Sequence, residues 1–180
     1  FLYVNLIIKK NIKKEGLVCD TSLLTLVELV NNTSNQIYSN TKLLIHLKKF
    51  YYKSFPDKKK FSNDALSIKY SPDKKNLPKN STRIELIDRI NYNSRRINDN
   101  ELELEKVTNL VNSINIEGME TLYTILNNDS SDGMIKIQIQ SNCSKATKHA
   151  VAIQKLTKKV QSKIMSHTKN TMKIMQPISE

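Results

Sequence analysis

The chain has little of what most catalytic and ligand sites are built from. Its 180 residues include three glycines, two cysteines, no tryptophan and 6% aromatics. So few glycines leave almost nowhere for a backbone loop to close on a phosphate, and the scarcity of rings removes the platforms on which unpaired bases stack. Cys19 and Cys143 stand far apart with no CxxC, which excludes a local zinc knuckle or redox pair. Two buried thiols in a reducing nucleus or cytoplasm are the expectation, although one long-range disulfide would leave secretion open. The three histidines, His46, His149 and His167, fall on separate predicted helices, with no HExxH, glycine-rich phosphate loop or nucleophile elbow. No metal, cofactor or catalytic residue is expected, and the chain reads as a non-enzyme. Phe1 to Ile8 is apolar but too short to cross a bilayer, and Lys9 and Lys10 follow it where a secretory signal has them first. No membrane span is expected. Five glycosylation patterns, at Asn31, Asn32, Asn80, Asn128 and Asn142, fit chance in a chain with 20 asparagines.

What the chain does have is positive charge. Lys and Arg total 29 against 17 acidic residues, for a net charge of +12 and a pI near 9.6. That favours an anionic partner: nucleic acid, an acidic protein or a membrane surface. Only four of the basic residues are Arg, so the Lys and Asn excess also fits AT-rich coding. With 38% hydrophobic residues, a globular core is expected.

Four regions follow in order. Residues 1–55 read as an N-terminal helical hairpin: Asp20 caps a helix to Asn32, Asn31 to Asn35 turn, and a second helix carries Ile37, Leu44, Leu47 and Tyr51 to Ser54. Residues 56–80, with Pro56, Pro72 and Pro78, read as a linker. Residues 81–168 form a helical module, opened by a capping box of Thr82 and Glu85. Arg83, Arg89, Arg95 and Arg96 read as surface paired with Glu85 and Asp88. A weaker box, Asn100 with Glu103, starts the next helix. Residues 169–180 are a tail.

Within the module, Leu104, Val107, Leu110, Val111 and Ile114 recur at helical spacing, and a further helix runs from an Asn115 cap through Glu117, Met119, Leu122, Ile125 and Leu126. From Met134 the pattern becomes alternating: Ile135, Lys136, Ile137, Gln138, Ile139. That predicts a strand with one buried face. Ser144 then caps a final helix through Ala150, Ile153, Leu156, Val160 and Ile164. Between Gly133 and Ser179 there are nine Lys and no acid. Lys148, Lys155, Lys158, Lys159 and Lys163 line a face able to meet a phosphate backbone.

Residues 101 to about 160 resemble the extra-terminal (ET, or NET) domain of bromodomain and chromatin-complex proteins. Val111-Asn112-Ser113-Ile114, Glu117, Met119, Leu122, Ile125 and Leu126 match its helix, acidic residue and second helix, and a loop, strand and third helix follow in both. The resemblance implies a transcription- or chromatin-associated module that binds a peptide by strand addition along Met134 to Ile139. Where the family has acidic residues on that strand, this chain has Lys136 and Gln138, so the implied peptide is acidic. The expected fold is mostly α, an N-terminal hairpin plus a three-helix module with one short edge strand. Two functions are open, a peptide-binding interaction module and a basic nucleic-acid-associated or ribosome-accessory protein.

Overall fold

The computed structural model describes residues 23–56, 74–112 and 124–175. These hold three helices: α1 (Leu23–Ser54), α2 (Arg83–Asn112) and α3 (Asp132–Met175). Each packs on both others, so they enclose one core.

The three helices run parallel. Along α1, Ser34, Thr41 and Tyr51 bond in turn to Asn93, Asn100 and the Leu110 carbonyl of α2, so both numberings increase together. The α2–α3 contacts do the same, from Ser94 with Asn142 to the Val111 carbonyl with Lys163.

Seven-residue spacing builds the core. Val30, Ile90 and Ile139 belong to one buried cluster, Ile37, Ile97 and Ala146 to the next. Leu44, Ile153 and the flanking Leu104 follow, then Tyr51, Val111 and Val160. Between the apolar levels lie polar ones. Buried hydroxyls of Thr33, Ser34, Thr41, Ser94 and Thr157 reach the carbonyl four residues back, which spares them the cost of dry burial.

The bundle is a threefold internal repeat. Shifts of 60 from α1 to α2 and 49 from α2 to α3 carry Ile37 to Ile97 to Ala146. The contacts repeat with the shift. The Asn31 amide brackets the backbone of Leu77, accepting from its N–H at 2.8 Å and donating to its carbonyl at 2.9 Å. Asn91, 60 residues on, brackets Leu126 the same way at 2.8 and 2.7 Å. Leu77 and Leu126 each open the pattern Leu-x-x-Asn/Asp-Ser/Thr-Ser/Thr, which also occurs at Leu17 to Ser22 in the sequence. At the two described copies the last residue of the pattern caps the helix. Thr82 and Glu85 make the expected capping box, and the Ser131 hydroxyl accepts from the Met134 N–H at 3.2 Å.

Several expectations are corrected. Residues 23–54 do not form the expected hairpin: α1 is unbroken through Asn31 to Asn35, because polar side chains there are bonded within or across the bundle. Asn100 is not a cap but a buried core residue of the unbroken α2. The strand expected at residues 134–140 lies in the first turns of α3, and no residue among those described is in a strand. Ile135 and Ile139, four apart, are both buried while Ile137 between them is 66% exposed, which is helical and not alternating geometry. Ser144 lies inside α3, and α3 continues to Met175 through the expected tail. The helix expected from Asn115 falls mostly on residues 113–123, outside the described residues; Ile125 and Leu126 lie in the non-helical approach to α3.

Candidate nucleic-acid interface

Parallel, in-register helices place all three C-terminal halves together. From the level of Leu44, Leu104 and Ile153 onward, residues 42–56, 102–112 and 151–172 carry ten lysines against two acids, Glu103 and Glu105. Three of these charges already have work in the fold. Lys48 lies 2.5 Å from Glu103 with both side chains buried, Lys163 donates to the Val111 carbonyl in the last turn of α2, and Lys53 sits in the last turn of α1. Three parallel helices sum their dipoles, so cations at this end and Glu85 and Asp132 in first turns at the other are what the dipoles favour.

Dipole compensation reaches only the last turn of a helix. Lys42 and Lys49 on α1 lie further back and are exposed, and so are Lys155, Lys158 and Lys159 on α3. These five are surplus to what the fold needs. Lys42 stands 5.0 Å over the ring of Tyr38, a cation–π contact that leaves it exposed.

Of the lysines expected to meet phosphates, Lys148, Lys155, Lys158 and Lys159 are exposed, and Lys163 is half-buried in its structural bond. The structure adds Lys42 and Lys49. Their seven-residue spacing is a one-face signal, but only the parallel order of helices brings them to the same end as the α3 lysines. The peptide-binding set lies at the opposite end and is dispersed around α3: Met134 and Ile137 exposed, Ile135 and Ile139 buried, and Lys136 and Gln138 half-buried. Gln138 donates to Ser94 and Asn142 at 3.3 and 3.0 Å. No strand edge exists there to receive a peptide. The arginines match the expected salt-bridged surface only in part: Arg95 is exposed and Arg83 half-buried, while Arg89 and Arg96 are buried. Arg83 pairs with Asp132 at 3.0 Å and donates to the Ser130 carbonyl, Arg89 donates to the Lys75 carbonyl, and Arg96 to Thr41.

Mid-bundle lies a polar ring. Asn40 donates to the Ala146 carbonyl at 2.9 Å and Asn100 to the Ile37 carbonyl at 3.2 Å, each from one helix to the next around the axis. The third position is His149 on α3. Burial lowers its pKa, opposed by the charge of Glu101 and assisted by Lys145. Asn40 Oδ1 and His149 Nδ1 are buried without a partner. Close by, a polar hollow of about 110 Å³ between α2 and α3 is lined by Ser94, Asn98, Gln138, Asn142 and Lys145, among others.

Among the described residues no three His, Cys, Asp or Glu side chains gather as metal ligands. No described helix is long and apolar enough to cross a membrane. No family model, curated protein or solved structure matches the chain. The fold and site define a parallel three-helix bundle of internal repeats with one strongly basic end.

Proposed function

We propose that the protein is a non-enzymatic nucleic-acid-binding bundle whose basic end meets a phosphate backbone. The observation that carries this reading is the convergence, at one end, of exposed lysines from two helices that neither dipole compensation nor ion pairing employs. Such a surface binds through released counterions, without a deep pocket or stacking rings. The peptide-module reading is set aside because the strand it depends on is helical.

Anisotropy titration of a labelled duplex across a range of salt tests this. Log affinity should fall linearly with log salt, and replacing Lys42, Lys49, Lys155, Lys158 and Lys159 by Gln should flatten the slope by about 0.9 per lost contact on duplex DNA. Lys163→Gln should lower stability and leave the slope unchanged. An unchanged slope in the five-lysine variant contradicts the proposal.

A further inference from the structure

The repeat ends before α3 does. Shifting Ser54, the last residue of α1, by 60 and 49 gives Lys163, so residues 164–175 are an addition that the threefold core does not require. Among the described residues only its first turns touch the bundle. Lys163, at its base, is bonded to Val111, Ile164 packs against the last core cluster, and the His167 ring lies 5.2 Å from that of Phe55. From Met165 to Met172 every residue is exposed. The addition is about 18 Å long and 10–12 Å wide with side chains.

Its free face is the one turned away from Lys163 and His167. Helical spacing puts Lys158, Met165 and Met172 in one column, seven residues apart, with Ser162 and Lys169 on one flank and Gln161 and Thr168 on the other. Met165 and Met172 are 62% and 65% exposed. The mixture is amides, hydroxyls, ammonium groups and two unbranched apolar chains, with no carboxylate. An acidic protein groove would suit the charge, yet the lysines here continue the surplus already assigned to phosphates.

We infer that the projecting end of α3 enters the major groove of duplex DNA, with Met165 and Met172 against thymine methyl groups. This rests on the nucleic-acid reading and names its substrate. The major groove is about 12 Å wide and admits one α-helix, whereas the deep, narrow major groove of duplex RNA does not. The methionines are about 10.5 Å apart along the helix, close to three base-pair steps of about 3.4 Å. Thymine is the base that offers an apolar group in that groove.

The test compares the full chain on two DNA duplexes of one AT-rich sequence, one with thymine and one with deoxyuridine, which removes the methyl groups and keeps charge and pairing. Affinity should drop about fourfold per lost methyl contact, and Met165→Ser with Met172→Ser should abolish the difference. Both positions are exposed, so the thermal melt of that variant should match the parent's. Duplex RNA of the same sequence should bind more weakly, with salt dependence alone. Equal affinity for both DNA duplexes, with a salt slope that still responds to the lysine variants, overturns the groove inference and leaves the phosphate reading standing. No binding to any duplex overturns both.

Discussion

Lys48 of α1 and Glu103 of α2 meet at 2.5 Å with 9% and 4% of their side chains exposed. A buried pair of this kind costs desolvation that its attraction only about repays, so its clearest effect is on which arrangements are excluded. Slipping α2 by one turn would bury both charges alone. Glu103→Ala or Lys48→Ala should each destabilise by roughly 3–5 kcal/mol, while Lys48→Met with Glu103→Met should be nearly neutral or stabilising. Urea unfolding of the three variants checks this. A double variant as unstable as the singles would show that the pair contributes net stability and not register.

The repeat identifies a missing hydroxyl. Thr41 bonds to Asn100 Oδ1 at 2.8 Å, and the residue occupying the same place beside Asn40 is Ala150, by shifts of 60 and 49. That substitution accounts for the buried Asn40 Oδ1 without a donor. Ala150→Ser should supply one and raise stability by about 1 kcal/mol, with Ala150→Gly as the control that lowers it. Thermal melts decide, and a serine variant less stable than the parent would count against the repeat-based assignment.

His149 makes stability depend on pH. Its folded pKa is pushed below the 6.5 of a free imidazole, chiefly by burial. Between those two values the unfolded chain holds a proton that the folded chain refuses, so stability is full above about pH 6.5 and declines as pH falls through it. Asp99, raised above 3.8 by burial against the pull of Arg96 and Arg95, acts in the opposite direction at lower pH. Urea midpoints should therefore be compared between about pH 8 and about pH 5. His149→Asn, which restores the residue found at Asn40 and Asn100, should flatten the decline. A parent whose midpoint does not move with pH would show that His149 does not titrate as assigned.

The helical character, the Thr82 cap and the basic face of α3 were legible in the sequence because each is a local signal. The continuity of the helices was not. Ser34, Thr41, Asn93 and Asn100 interrupt the apolar spacing at buried positions, and polar residues in short runs resemble turns and caps when their cross-helix partners are unseen. Ile135 to Ile139 fits a strand or one helical turn equally over five residues. The neighbouring pairs Ile135 with Ile139 and Asn142 with Ala146 decide it, since they continue one stripe at three- and four-residue steps. The pattern Leu-x-x-Asn/Asp-Ser/Thr-Ser/Thr, at Leu77, Leu126 and Leu17, was readable and would have marked the repeat. Helix direction was beyond reach, because periodicity shows which face is buried and not which way the neighbour runs. The site depended on that direction, which is why the α1 lysines were passed over.

Parallel, in-register packing is the claim on which the repeat, the basic end and the proposed function all depend, and two spin-label distances test it most directly. With Cys19 and Cys143 replaced by Ser, labels at Lys49→Cys and Lys159→Cys should be separated by about one bundle width, since both lie near the level of Tyr51, Val111 and Val160. Labels at Lys49→Cys and Met134→Cys should be further apart, by about 35 Å along the axis. Pulsed electron resonance that finds the first distance short and the second long agrees with the account. The reverse order would mean that α3 runs antiparallel to α1, and the basic end would not exist.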